Sequence, residues 1–390
     1  MRIIVAHNVY QLAGGEDIVF ASEVDLLRKN GHDVFTYVRD NAELANMPPI
    51  TAALETVWSG RAVKEIGEII DATRAELVHF HNTLTRISPS AYYAAKAKGA
   101  AVVQTLHNYR LLCPAATFSR EGKRPCEDCL GKTLPWPSVL HACWRSSRAQ
   151  TAVLASMLAM HRALGTWTKQ VDLYIALSEF ARRQFIEGGI PAEKITVKPN
   201  FVRKGYKSAS LGSYAVYVGR LAVDKGIEFM LNAWEKTTGV SLKIAGDGPL
   251  RDLVKNAALN SSQIEWLGQL TQDKVRGLMA KAYCLIFPSI WYEGMPMTIL
   301  EAFACGLPVI APRLGVMQEM IADGESGLLY EPGNQEDLAA KVAWAFVHRR
   351  EMEKMQRECL SVFTERWTPE KNYEMLMEIY EQAKCYSHQH

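Results

Sequence analysis

The sequence contains no run of 18 consecutive apolar residues, so nothing in it reads as a membrane-spanning helix. Cysteine is sparse. Eight in 390 residues are too few to make a disulfide framework the organising principle of the chain. The N-terminal Met1-Arg2-Ile3-Ile4-Val5-Ala6 enters a strand-like pattern directly, without a long apolar stretch or cleavage site. The expectation is a reduced, cytoplasmic protein, with peripheral contact at the inner membrane face left open. An excess of one charge is also missing: 44 Lys and Arg meet 42 Asp and Glu, a net +2. That argues against specific nucleic-acid binding. Hydrophobic residues at 48% and charged residues at 22% exclude wholesale disorder.

What is present is alternation. At about 100–200 residues per domain, 390 residues predict two domains. Strand-like runs fall at Ile3–Ala6, Asp33–Val38, Glu76–Phe80, Ala101–Leu106 and Leu173–Leu177, with helical patterns such as Asp17–Arg28 and Ser88–Lys98 between them. A turn-rich stretch follows, with Lys198-Pro199-Asn200, Gly205 and Ser208. The pattern then restarts at Ala215–Val218, Leu242–Ala245, Ile264–Trp266, Cys284–Phe287 and Pro308–Ala311. Strands alternating with helices predict parallel sheets, with ligands at the carboxyl ends of the strands.

Chemistry concentrates in the second half. Glu293-Gly294-Met295-Pro296-Met297-Thr298-Ile299-Leu300-Glu301 follows an apolar strand and opens a helix. Pro296 suits the first turn, and the backbone N–H groups of Met297 and Thr298 then point out of a helix start that attracts phosphate. A carboxylate at Glu301 can accept two hydrogen bonds from a diol. Tyr217-Val218-Gly219-Arg220 and Lys225-Gly226 place two cations in a loop after a strand. Arg offers a planar fork to phosphate and Lys a compact charge. Ile244-Ala245-Gly246-Asp247-Gly248-Pro249 is a third turn of this kind.

Taken in this order, the three segments resemble glycosyltransferase family 4, as does Glu301-Ala302-Phe303-Ala304-Cys305-Gly306-Leu307-Pro308-Val309-Ile310. The resemblance covers Ala215–Glu336 most closely and extends more loosely over the first half. It implies an α/β GT-B architecture: two facing Rossmann-like doubly wound domains with an interdomain cleft. The expected acceptor domain is 1–203, rejoined by a C-terminal helix over 368–390. The expected nucleotide-sugar domain is 204–367. The resemblance further implies a retaining, metal-independent hexosyltransferase without a catalytic cofactor. Arg220 and Lys225 would bind the donor diphosphate, Glu293 would face the donor sugar, and Glu301 would bind the ribose hydroxyls. Gly219, Gly246, Gly294, Met295, Met297 and Thr298 would bring backbone close to sugar and phosphate. Gly268, Gln269 and Leu270 would lie near the base. The donor expected first is UDP-glucose, used in cell-surface or exopolysaccharide synthesis.

In the first half, Gly14-Gly15 opens a helix after strand one and can bring backbone close to phosphate or acceptor. Gly-x-Gly-x-x-Gly is absent there, which argues against a Rossmann oxidoreductase. The Lys-x-Gly-Gly of glycogen synthases is missing too. His107 ends a strand, and the resemblance puts it at the donor sugar. His79 and His81 share one side of a strand, with acceptor and core roles equally open. Cys113, Cys126, Cys129 and Cys143, spaced C-x12-C-x2-C-x13-C, could form a structural zinc site or be ordinary thiols. Residues 101–200 carry 13 Lys and Arg against 7 Asp and Glu. Arg110, Arg120, Lys123, Arg124, Lys132, Arg145 and Arg148 contribute to this excess. The apolar helix Ala152–Leu164 reads first as a core helix under solvated cations; the sharper reading makes it, with these cations, a pad for a lipid-diphosphate or glycan acceptor at an anionic membrane surface. A non-catalytic binder of sugar nucleotides or lipid head groups is the alternative reading.

Overall fold

The computed structural model describes residues 1–9, 14–120, 124–203 and 211–389. Lys123, Gly205 and Ser208, named above, lie outside the described residues. The chain divides into two compact units. The first holds Met1–Phe118, Glu127–Asn200 and Asn372–His390, and the second holds Ser119–Cys126 and Phe201–Lys371.

Each unit is built on a six-stranded parallel sheet. The first contains β1 (Arg2–Val9), β2 (Asp33–Asp40), β3 (Leu77–Asn82) and β4 (Ala101–Leu106). A short antiparallel pair, β5 (Ser119–Arg120) and β6 (Arg124–Pro125), precedes β7 (Leu173–Ala176) and β8 (Ile195–Val197). The order in the first sheet is β2-β1-β3-β4-β7-β8. The second sheet contains β9 (Tyr214–Val218), β10 (Ser241–Ala245), β11 (Ile264–Gly268), β12 (Cys284–Ile286), β13 (Val309–Pro312) and β14 (Gly327–Tyr330). Its order is β11-β10-β9-β12-β13-β14, the doubly wound arrangement of dinucleotide-binding folds.

The central strands are buried along their length because a parallel sheet is covered on both faces, whereas the edge strand β2 is largely exposed. Every residue of β3 and β4 is buried, and so is every residue of β13 and β14. The sequence patterns missed β8 and β14. One is three residues at a sheet edge, and the other, Gly-Leu-Leu-Tyr, has no β-branched residue to mark it. In both sheets the strand order reverses beside the first strand, between β1 and β3 and between β9 and β12. Loops leaving the carboxyl ends of these strands diverge there and open a crevice.

The C-terminal helix Pro369–Gln389 belongs to the first core. Leu376, Ile379, Tyr380 and Ala383 recur at helical spacing and pack with Ile3, Val5, Leu77, Val103 and Ile175. Truncating the fully buried Leu376 to Ala is expected to cost about 2–5 kcal/mol, read by denaturant unfolding of the full chain. A change below about 0.5 kcal/mol, the range of surface substitutions, would contradict this packing.

Candidate functional site

The second unit gathers its chemistry at the switch point beside β9 and β12. Chain leaving β9 turns at Gly219 and Arg220 and reaches Gly226, whose φ of +68° suits glycine. A Cβ on Gly226 would lie 1.9 Å from the Pro288 carbonyl oxygen, so glycine lets this loop meet the one leaving β12. Gly246 makes a similar approach, since a Cβ there would lie 1.9 Å from the Gly219 carbonyl oxygen. The Gly246 N–H donates to the Gly268 carbonyl at 2.8 Å and ties the third turn to the end of β11. Gln269 beyond it is exposed and Leu270 half-buried.

Across the two loops, Lys225 Nζ donates to Glu293 Oε1 at 2.6 Å. The same oxygen accepts from Ser289 Oγ at 2.7 Å and Trp291 Nε1 at 2.8 Å. Lys225 also stands 4.8 Å from the centroid of the Trp291 ring, within cation–π range. Glu293 is buried and therefore needs these partners. Arg220 Nη2 pairs with Asp224 at 3.2 Å, with the arginine half in solvent. An ion pair that exposed is worth at most about 1 kcal/mol, so a phosphate could draw Arg220 away. Sequence reasoning did not give Ser289, Trp291 and Asp224 these roles. The signal was local: they stand four and two residues before Glu293 and four residues after Arg220.

The helix Met297–Cys305 starts beside this carboxylate. Pro296 is its N-cap rather than its first helical residue, with φ −72° and ψ 115° and no side-chain cap. Ile299 N–H donates back to the Pro296 carbonyl at 3.1 Å. The N–H groups of Met297 and Thr298 precede it at the positive end of the helix, with both residues half-buried. Glu301, on the first turn and a half, approaches Gln272 Nε2 at 3.5 Å. Burial pushes its carboxyl above the ordinary value, opposed by Gln272 and Arg276.

In the first unit, Gly14 caps the helix Gly15–Lys29, and its N–H donates to Asp17 Oδ2 at 2.7 Å. That N–H is therefore engaged within the loop. Asp17 Oδ1 also holds His7 Nε2 at 2.8 Å. His107 is buried at the end of β4, with Nε2 2.9 Å from His81 Nδ1. His79 bonds Tyr380 and Thr105, each at 2.7 Å. Beneath them Glu23 pairs with Lys198, both inaccessible. Burial acts to raise the Glu23 carboxyl, but Lys198 and His81 override it and hold it well below the carboxylate range. Glu23 and Lys198 escaped the sequence reading. The available signal was a carboxylate on the apolar stripe Val19, Glu23, Val24 and Leu27.

Among the described residues, Glu23, His79 and His81 form the one set of three metal-capable side chains within 4.8 Å. Its partners suit a hydrogen-bonded network better than a metal: both His79 nitrogens are engaged and an ammonium sits on Glu23. Cys113, Cys126, Cys129 and Cys143 do not form such a set. Four thiolates on one zinc would lie about 3.8 Å apart, given Zn–S near 2.3 Å, so this arrangement does not fit the zinc expectation. Of the basic pad, Lys132, Arg145 and Arg148 are exposed, whereas Arg110 is not. Arg110 is buried and stacks on Trp144 at 4.2 Å rather than facing solvent. The helix Arg148–Ala163 turns Leu154, Met157, Leu158 and His161 into the core. No helix among the described residues is long and apolar enough to cross a membrane.

Residues 13–204 match the sequence family described as Glycosyltransferase Family 4, and residues 212–347 match Glycosyl transferases group 1. The chain belongs to the family 4 type of glycosyltransferases, with the GT-B fold. It is 33% identical over 217 residues to an uncharacterized glycosyltransferase of Methanocaldococcus jannaschii, covering 55% of this chain and 61% of that one. It is 25% identical over 209 residues to O-antigen chain mannosyltransferase B of Escherichia coli, covering 47% and 54%. The chain thus spans less than two thirds of the length of either relative. The crystal structure of Anabaena HepE in complex with UDP superposes with a TM-score of 0.68 at 16% identity, covering 96% of this chain and 98% of that one. Sucrose-phosphate synthase from Thermosynechococcus elongatus gives 0.72 at 17%, covering 98% and 99%.

The raised Glu301 carboxyl fixes the sign of a pH effect. Its folded form holds the proton more tightly than the unfolded chain, whose ordinary value is 4.5. Its contribution to stability is full below 4.5 and is lost as pH rises through the folded value. Glu301→Gln is expected to remove that loss, measured by urea unfolding from pH 4 to 7. An identical pH profile in wild type and variant would contradict it.

Proposed function

We propose that the protein transfers a hexose from a nucleotide sugar to a hydroxyl acceptor with retention of configuration, without a catalytic cofactor. The observation that carries this reading is the junction of Lys225, Glu293 and the helix start at Met297. A cation, a carboxylate and outward N–H groups meet there, at the carboxyl edge of a parallel sheet. This combination suits a diphosphate joined to a polyol. Arg220, Lys225 and the N–H groups of Met297 and Thr298 would stabilise charge growing on the diphosphate as the glycosidic bond breaks. Glu293, with Gly294 and Met295 beside it, would accept hydroxyls of the sugar, and Glu301 those of the ribose. Gly219 and Gly246 would let the loops close on the phosphates, with Gly268, Gln269 and Leu270 toward the base. In the first unit, His107 would accept a sugar hydroxyl, and Gly15 would allow close approach by acceptor or phosphate.

The acceptor hydroxyl would attack on the face the diphosphate leaves, and the leaving oxygen would take its proton. UDP-glucose is the donor we favour, and a glycan or lipid-diphosphate-linked acceptor of cell-surface polysaccharide synthesis is the proposed partner. HepE, the fold neighbour, was crystallised with UDP and glucose. Its likeness supports a uridine donor only by analogy of fold.

The test is thermal unfolding of the full chain with UDP, GDP, ADP, their sugars and NADH. A ligand at about 100 times its dissociation constant adds roughly 2.7 kcal/mol, enough to raise the midpoint by degrees. UDP and UDP-glucose are expected to stabilise, and stabilisation by NADH alone would overturn the reading. With the donor so chosen, Lys225→Ala is expected to lower turnover about 100-fold or more. Wild-type turnover in that variant would remove Lys225 from the mechanism.

A further inference from the structure

We propose that Glu23 and Lys198 are positioning residues that act through His81 to hold His107 in its Nε2-protonated tautomer, leaving Nδ1 as a bare acceptor for a substrate hydroxyl. The substrate half of this statement rests on the role given to His107 above. The tautomer half rests on four buried side chains in series.

The series begins at the Lys198 ammonium, which donates to Glu23 Oε1 and, at 3.1 Å, to Asn372 Oδ1. Lysine and glutamate are 0% and 1% exposed and balance each other's charge. The second carboxylate oxygen, Glu23 Oε2, lies at an ion-pair distance of 3.1 Å from His81 Nε2, and neither atom has a hydrogen-bond partner elsewhere that would satisfy it. Two lone pairs facing each other in a dry interior would leave both groups unsatisfied, so Nε2 carries the hydrogen. A second proton on His81 would add a net positive charge where Lys198 already neutralises Glu23, and the interior has nothing to solvate it. With its one hydrogen on Nε2, His81 presents Nδ1 as a lone pair. His107 Nε2, 2.9 Å away, must be the donor to that lone pair.

Nδ1 of His107 is then unprotonated. Burial holds the ring below its ordinary value, so it stays neutral near pH 7. The other titratable groups nearby are occupied elsewhere: His79 by Tyr380 and Thr105, and His7 by Asp17. His81 and His107 line a cavity of about 40 Å³, where Asn82, Gln104 and Asn108 add polar groups to a wall that also holds Leu106, Met157 and Trp167.

The experiment is NMR of the full chain labelled with 15N-histidine, using long-range correlations that distinguish the tautomers, with His107 assigned by its loss in His107→Gln. Wild type is expected to show one His107 species, protonated at Nε2 alone. The double variant Glu23→Gln/Lys198→Met removes both charges and leaves no unpaired ion. It is expected to show a mixture of His107 tautomers. Its kcat for sugar transfer is expected to fall about tenfold or more at unchanged nucleotide affinity, as when a partner orienting a histidine is lost. A wild-type His107 protonated at Nδ1 would overturn the proposal, as would an unaltered single tautomer in the folded double variant. If the double variant does not fold, the wild-type spectrum alone decides. The expected tautomer in a protein without transferase activity would support the relay and sink the transferase reading instead.

Discussion

A parallel sheet covered on both faces leaves a polar side chain two places to be: the carboxyl edge, where the loops diverge, or the core, fully paired. The central strands of both sheets obey that constraint. In the second unit the edge carries Arg220, Lys225, Glu293 and the start of the helix Met297–Cys305. In the first unit His79 and His81 of β3 lie inside and have side-chain partners from three other segments of chain: the first helix, the end of β4 and the C-terminal helix.

The edge site is arranged so that its charges are held but not locked. Glu293 Oε1 collects three donors, yet Lys225 is partly exposed and Arg220 stands half in solvent beside Asp224. A diphosphate brings two or more negative charges and can replace Asp224 on Arg220 without leaving any group buried and unpaired. Ser289 and Trp291 would keep Glu293 satisfied if Lys225 turned to the ligand. Preorganised donors of this kind need little rearrangement when charge develops.

Much of this edge could be read from the sequence. The Gly-Arg-Leu loop, the Gly-Asp-Gly-Pro turn and the two glutamates each lie within a short stretch of sequence and sit on strand–loop–helix units with strong local patterns. What could not be read depends on contacts between distant segments. Pairing of Lys225 with Glu293 joins residues 68 apart, and pairing of Lys198 with Glu23 joins residues 175 apart. Arg110 counted as a surface cation by its charge, but Trp144 and a main-chain carbonyl bury it. The cysteine spacing suggested a metal because spacing ignores the path of the loop between thiols.

The buried network also answers a question that apolar packing leaves open. Leu376, Ile379 and Ala383 form a stripe that could slide by a turn along the first sheet at modest cost, since hydrophobic contact is not directional. The polar contacts of the same helix are directional. Tyr380 meets His79 at 2.7 Å, and Asn372 meets both Lys198 and the Pro199 carbonyl. A shift of one turn would break all three bonds and leave His79 and Lys198 with fewer partners in a buried core, where a lost partner is costly. We therefore read the ion pair as setting the register of the C-terminal helix. The same pair orders His81, so one buried charge couples the docking of the last helix to the histidines that end β3 and β4.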